Sequence, residues 1–173
     1  MDTLPATLVT TYLEITDPAQ ARLAFTTAPG VDVRRADMPD VAFYRALYRG
    51  VGEAWRWRDR LLLSDAELAA ELIEPGREVH VLYVDDLPAG YVELVLAESA
   101  VEIVYFGLFP AYLGRGLGKH LLSCGITRAW KLGGKRVWLH TCNLDAPHAL
   151  ANYLKRGFQV YHVDERPMPE RYC

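Results

Sequence analysis

Apolar and polar positions along the chain divide it into stretches of two periods. Residues 7–15, 31–35, 78–85 and 90–97 carry apolar residues at the short spacing of strands. Asp37 to Gly50 places Val41, Tyr44, Leu47 and Tyr48 at helical spacing, and Ser64-Asp65-Ala66-Glu67 is a capping box for a helix reaching Glu74. Val101 to Phe109 is almost wholly apolar with no clean alternation, which predicts a strand covered on both faces. From Gly116 the period lengthens: Leu117, Leu121, Leu122, Ile126 and Trp130 define a helix that Gly133-Gly134 ends near Leu132. A strand over 135–142 follows, then a helix capped by Asp145 with Pro147 in its first turn and ended by Gly157, then a last strand over 158–163.

The connections set the topology. Asp17-Pro18 starts a short helical turn, and Pro29-Gly30, Pro75-Gly76 and the hairpin-like turn 86–89 punctuate the strands. Short turns between 78–85, 90–97 and 101–109 predict an antiparallel run. The long helix between 101–109 and 135–142 makes those two strands parallel, a βαβ unit. The fold class is therefore α/β in the broad sense: one mixed sheet flanked by helices. The tail 165–173 shows no pattern.

One junction carries chemistry. After Pro110, Gly114, Gly116 and Gly118 alternate with Arg115, Leu117 and Lys119 where strand gives way to helix. A helix N-terminus presents unpaired N–H groups and a partial positive charge, and glycines let the backbone approach a ligand. With Arg115 and Lys119 this predicts an anion site suited to a phosphate or pyrophosphate. It is no Walker loop, because Leu113 stands at the first glycine and His120 follows Lys119. It is no dinucleotide fingerprint either, because Lys119 stands where G-x-G-x-x-G needs its last glycine.

The turn resembles the acyl-CoA motif of the GNAT acyltransferase superfamily, [QR]-x-x-G-x-[GA], with Gly116 and Gly118 at the small positions and Leu113 as a departure at the first. Tyr153-Leu-Lys-Arg-Gly157-Phe158 is similar to the superfamily's late Y-x-x-x-G-F signature, and the likeness covers roughly residues 78–165. The resemblance implies the GNAT fold in a single domain, with acceptor-site helices at about 17–75. It implies that strands 101–109 and 135–142 splay apart around the pantetheine arm of acetyl-CoA. It further implies that Leu108, Phe109, Pro110, Gly114, Arg115, Gly116, Leu117, Gly118, Lys119, Asn143 and Tyr153 meet the cofactor. The superfamily's pantetheine-binding Asn falls at Ala146, so Asn143 or Asp145 is the substitute, although Asp145 reads first as a helix cap.

The implied activity is acetyl transfer from acetyl-CoA to a primary amine within a ternary complex; the alternative is a GNAT-fold sensor that binds acyl-CoA without turnover. Tyr153 is the expected general acid, since a phenol of pKa ~10 can protonate a thiolate whose acid has pKa ~8.5. Glu102, which resembles the base of the histone-acetylating branch, and Glu93 on the neighbouring strand compete as general base. A backbone N–H near Gly107 to Phe109, Leu108 above all, is the implied oxyanion donor, with Gly107 as the bulge residue. Residues 44–60 interleave Tyr44, Tyr48, Trp55 and Trp57 with Arg45, Arg49, Arg56, Arg58 and Arg60. Such arginines could receive a carboxylate-bearing amine, but a basic face backed by core aromatics is the simpler reading.

Composition narrows the alternatives. A net charge of −3 argues against a nucleic-acid footprint. Cys124, Cys142 and Cys173 are too few and unpatterned for a disulfide scaffold or a zinc site, and His140 and His148 stand apart from any ligand cluster, so no metal is expected. No signal sequence and no apolar run of about 18 residues is present, so no membrane partner is expected and a cytoplasmic location is. The acceptor, a small molecule or a protein amine, is left open. Dimers are frequent in the superfamily, and a homodimer is one expectation.

Overall fold

The computed structural model describes residues 3–173. Its frame is one seven-stranded sheet: β1 (Thr7–Ile15), β2 (Val31–Arg35), β3 (Arg77–Val84), β4 (Leu87–Ala97), β5 (Ala100–Leu108), β6 (Arg136–Cys142) and β7 (Gln159–Pro167). The order across the sheet is β2-β3-β4-β5-β6-β1-β7. All neighbours are antiparallel except β5 and β6, which run parallel. The first strand thus lies between β6 and the last. Four helices accompany the sheet: α1 (Val41–Gly52), α2 (Asp65–Leu72), α3 (Leu117–Lys131) and α4 (Ala149–Lys155).

Two cores sandwich the middle of the sheet. On one face α3 buries Leu117, Leu121, Leu122, Ile126 and Ala129 against Val92, Leu94, Val101, Ile103, Val137 and Leu139. Gly125 interrupts that helix because a Cβ there would lie 3.2 Å from Val92 Cγ2, so the helix can sit close on β4. On the other face α1, capped by Asp40, packs Tyr44, Leu47, Tyr48 and Val51 with Leu68 and Leu72 of α2 against Val79, Val81 and Tyr91. Ser64 and Glu67 form the capping box of α2.

The register explains why 101–109 lacks alternation. Glu93 pairs with Tyr105 and Leu94 with Ile103, leaving Val104 as an extra residue in β5. This bulge reverses which face each later side chain takes. Val101, Ile103, Phe106 and Leu108 join the α3 core, while Tyr105 joins the α1 core. The bulge therefore sits at Val104 and not at Gly107, which pairs regularly with Tyr91. Gly107 is small for another reason: a Cβ there would come within 2.4 Å of Val51 on α1.

Other boundaries moved for local reasons. The β3–β4 hairpin turns on Asp85 and Asp86 alone, both at positive φ (49° and 62°), so β4 begins at Leu87 and absorbs the residues expected to turn. The tail is patterned by pairing: β7 continues to Pro167 because its partner β1 extends to Thr7. Helix α4 starts at Ala149 behind His148, so Asp145 is not its cap.

An ion cluster fastens α3 to the sheet. Arg128 donates to both oxygens of Glu78 at 2.8 Å, joined by His80 at 2.7 Å and Arg35 at 3.1 Å. The hydrogen bonds from Arg128 above all hold the buried Glu78 carboxyl at about 2, below its ordinary 4.5. A depressed carboxylate pKa adds stability above the unfolded value, and that stability is lost as pH falls from about 4.5 toward about 2. Glu78→Gln should cost on the order of 2 kcal/mol at neutral pH and flatten stability across that acidic window, as measured by urea unfolding against pH.

Candidate active site

Strands β5 and β6 pair at three positions only, Ala100 with Arg136, Val101 with Val137 and Glu102 with Trp138. Beyond them the strands part. The opening is a cavity of about 240 Å³, walled by Ile103–Leu108 of β5 and by Leu139, His140 and Cys142 of β6. One end reaches Leu113, Gly118, Ala149, Asn152 and Tyr153; the other reaches Tyr48, Val51, Trp57, Asp59, Asp145 and Tyr172.

The glycine turn meets the first end. Gly114 and Gly116 take left-handed φ of 76° and 73°, and Gly116 caps α3 with no side-chain bond to the helix N–H groups. The first turn of α3 carries no acidic residue. Lys119 folds back near the turn, its Cε 3.3 Å from where a Gly116 Cβ would stand, and Arg115 is exposed above the Tyr112 ring. Uncapped N–H groups, open glycine backbone and two cations fit a pyrophosphate. Leu117 is buried, so only its backbone is available to a ligand. Phe109 turns away: its N–H donates to Ala89 O at 2.8 Å and its ring fills the space left by Gly50 of α1. Pro110 opens a short 3-10 turn. Neither Phe109 nor Pro110 lines the cavity.

Because Phe109 N–H points to β4, the strand's alternation sends Leu108 N–H the other way, into the opening. Tyr153 also faces the opening, with Phe106 tilted against it and Phe158 edge-on, ring centroids 5.9 and 6.1 Å away. No hydrogen bond from the described residues contributes to its pKa shift. Burial first, and the Asp145 carboxylate second, push the phenol well above its ordinary value, so it keeps its proton at neutral pH.

The two carboxylates named from sequence part company. Glu93 is fully buried; Tyr44 donates to Oε1, while Arg60 and Arg77 reach Oε2 at 2.7 and 2.6 Å. Both oxygens are committed and Glu93 does not line the cavity, which removes it as a base. Glu102 stands at the last paired position before the opening, with His140 Nε2 3.9 Å from its Oε1. Burial raises the Glu102 pKa, and the nearby Glu93 adds to this against the opposing Arg77. His140 does line the cavity; its side chain is about half exposed, and partial desolvation lowers its pKa below the usual 6.5 against the opposing Asp145 and Asp59.

Asn143 is also corrected. Its Oδ1 accepts from Val9 N–H at 3.0 Å and its Nδ2 donates to Thr7 O at 2.9 Å, so the side chain extends the β1 edge and is not free for a cofactor. Asp145, expected as a cap, lies in the cavity wall instead. Its Oδ2 accepts from Thr141 Oγ1 at 2.6 Å and Cys142 N–H at 3.0 Å, and its Oδ1 accepts from Trp57 Nε1 at 3.3 Å.

Several lining residues escaped the sequence reading. His140 had no partner nearby in the chain, Asn152 looked like an ordinary helix residue, and Tyr105 read as core. Tyr172 lies in the unpatterned tail; Arg56 Nη1 donates to its carbonyl at 2.8 Å, and Arg171 pairs with Asp59 at 2.8 Å. Nothing local in the sequence marks these long-range contacts. Among the described residues no cluster of His, Cys, Asp or Glu has the makings of a metal site.

Comparison with known proteins follows the same lines. Residues 41–158 match the acetyltransferase (GNAT) family, and the chain belongs to that family and so to the acyltransferases. A Bacillus subtilis (strain 168) protein, the uncharacterized N-acetyltransferase YvbK, is 32% identical over 108 residues, covering 61% of this chain and 69% of its own. A GCN5-related N-acetyltransferase from Sphaerobacter thermophilus superposes with a TM-score of 0.68 at 18% identity, over 94% of this chain and 52% of that one. A Bacillus subtilis acetyltransferase in complex with CoA superposes at 0.58 with 22% identity, over 76% of this chain and 78% of its own. At such identities the solved structures share the fold alone. The first solved structures matched are longer chains, of which this one spans 52% to 66%.

Gly118 offers a test of the cleft. A Cβ there would lie 3.8 Å from both Asn152 Nδ2 and Leu108 Cδ1, ordinary contact, so the fold should tolerate Gly118→Val. Its γ-methyls would intrude on the cavity and the turn. Acetyl-CoA affinity by calorimetry should fall at least ~10-fold while stability changes by less than about 1 kcal/mol.

Proposed function

We propose that the protein transfers an acetyl group from acetyl-CoA to a primary amine by direct attack within a ternary complex. The observation that carries this reading is the parting of β5 and β6 after Glu102 and Trp138. It opens a cavity that joins an uncapped helix N-terminus at one end to an aromatic, charged recess at the other. The N–H groups of residues 114–119, with Arg115 and Lys119, are suited to the pyrophosphate of CoA. When bound, acetyl-CoA supplies the acyl group activated as a thioester.

The roles of the chain's own groups follow from their positions. Leu108 N–H, aimed into the opening, is placed to donate to a developing oxyanion. Tyr153, whose phenol keeps its proton at neutral pH, is the group to protonate the departing thiolate. The amine's proton goes to the Glu102–His140 pair. His140 lines the cavity, is neutral at pH 7 and accepts first; Glu102 behind it, its pKa raised, steadies the resulting imidazolium.

Calorimetry with acetyl-CoA followed by thiol release across an amine panel tests the whole reading. Binding with turnover is expected; binding without turnover would favour a sensor, and no binding would sink the proposal. Tyr153→Phe should lower kcat about 10²-fold with acetyl-CoA affinity retained. A kcat undiminished in that variant would free Tyr153 of the role.

The pH profile has a definite sign. A base works unprotonated, so kcat/KM should fall as pH drops through the His140 pKa, placing the acidic limb below 6.5. Asp145 and Asp59 also favour the imidazolium, and Glu102→Gln, which removes a carboxylate 3.9 Å from His140 Nε2, should move that limb lower still. An acidic limb unchanged in both Glu102→Gln and His140→Gln would clear the pair.

A further inference from the structure

The recess at the Trp57 end carries two charges that the acyl donor does not account for. Of the five arginines from 45 to 60, Arg49 is exposed on α1 and does not line the cavity, and three are committed elsewhere. Arg45 holds Asp65 and the carbonyls of Arg60 and Leu63, Arg60 is buried on Glu93, and Arg56 donates to Tyr172 O. Arg58 alone lines the cavity, and it has no carboxylate partner among the described residues. Its single bond is to Trp57 O at 3.4 Å.

The second charge is Asp145. It accepts from three donors, none of them a cation, and a carboxylate has about four acceptor sites, so Oδ1 can take one more. The other carboxylate at this end, Asp59, is already neutralised by Arg171. Arg58 and Asp145 do not pair with each other. The recess therefore presents one cation without a carboxylate partner and one carboxylate without a cation partner, in a lining that includes Trp57, Tyr105 and Tyr172.

The loop is built to present them. Arg56 adopts a left-handed conformation (φ 59°), which costs a non-glycine residue of order 1 kcal/mol or more. That turn sends Trp57 N–H back to Gly52 O at 3.1 Å and lays the indole where Gly52 has no side chain. The indole N–H then reaches Asp145 across the cleft, and Arg58 follows directly.

We infer that the acceptor is a small zwitterion, an amine that bears a carboxylate on the same molecule, with Arg58 receiving the carboxylate and Asp145 the ammonium as it arrives. This rests on the acyl-transfer reading of the same cleft. Guanidinium and carboxylate make a charge-assisted, often bidentate pair, and an ammonium between a carboxylate and aromatic faces is favoured by both. Tyr172, tied by Arg56, lines this end, and the cavity of about 240 Å³ serves the donor arm as well, which suits a small acceptor. In the reaction the amine nitrogen bonds the acyl carbon and the carbon–sulfur bond breaks. One proton leaves the ammonium for the His140–Glu102 pair before attack, Tyr153 gives its proton to sulfur, the second nitrogen proton restores the Tyr153 phenol as the amide forms, and the carboxylate is untouched.

The test uses the whole protein with acetyl-CoA and three acceptor sets: the common L-amino acids with 4-aminobutyrate, the monoamines butylamine and isoamylamine, and the diamines putrescine and cadaverine. Thiol release gives kcat/KM for each. The best amino acid should exceed the best monoamine and diamine at least ~10-fold. Arg58→Gln should lower that kcat/KM at least ~10-fold, mainly through KM and without changing acetyl-CoA affinity, and Arg58→Lys should recover part of it. A diamine or monoamine as best acceptor, a carboxylate preference that survives Arg58→Gln, or no turnover with any set while acetyl-CoA binds would each overturn the inference. Failure to bind acetyl-CoA would overturn the acyl-transfer reading beneath it.

Discussion

Everything about the site depends on β5 and β6 staying together for three residues and then separating. Two parallel strands in mid-sheet ordinarily continue their ladder, because unpaired backbone groups in the interior are costly. Here each strand is held from its outer side instead: β5 by its antiparallel register with β4, and β6 by β1. The strands can part because neither needs the other for support. The backbone groups released along the inner edges, Leu108 N–H among them, face the cavity, where a ligand can take them up.

The bulge at Val104 turns that opening into a site with two sides. Without the extra residue, Tyr105 and Gly107 would share the α3 face with Val101 and Ile103. With it, Phe106 and Leu108 take the α3 side, next to Tyr153 and the glycine turn, while Tyr105 faces α1 and Trp57. One inserted residue thus separates the glycine-turn side of the cavity from the Trp57 side across a single strand.

The buried carboxylate of Glu93 supports the Trp57 side of the cavity from beneath. Arg60 and Arg77 converge on it, Tyr44 donates to it, and Arg60 N–H in turn donates to the Tyr48 hydroxyl at 3.3 Å. Breaking such a buried pair leaves an uncompensated charge, typically about 3–5 kcal/mol. Its consequence for function is positional. The network anchors residue 60, which fixes the loop from 56 to 59 and with it Trp57, Arg58 and Asp59 over the cleft.

The chain's local sequence determined the elements and the glycine turn. Periods of apolar residues marked the strands and the long helix, the capping box at Ser64 marked α2, and Gly114, Gly116 and Gly118 marked the turn that opens α3. These signals are short-range: a period, a cap or a glycine acts on its own few neighbours. Tertiary structure decided the rest. Asp145 reads locally as a helix cap, but it is held by Thr141, Cys142 and Trp57, the last 88 residues away. Glu93 and Glu102 look alike as strand carboxylates, yet one is enclosed by Arg60 of the 59–62 turn and Arg77 of β3 and the other opens toward His140. Asn143 serves β1, and Tyr172 reaches the cleft through Arg56, because strands and segments far apart in the chain become neighbours only in the folded sheet. Side-chain type and local spacing specify what a residue can do, whereas its partners, and therefore its role, are set by contacts that no local pattern encodes.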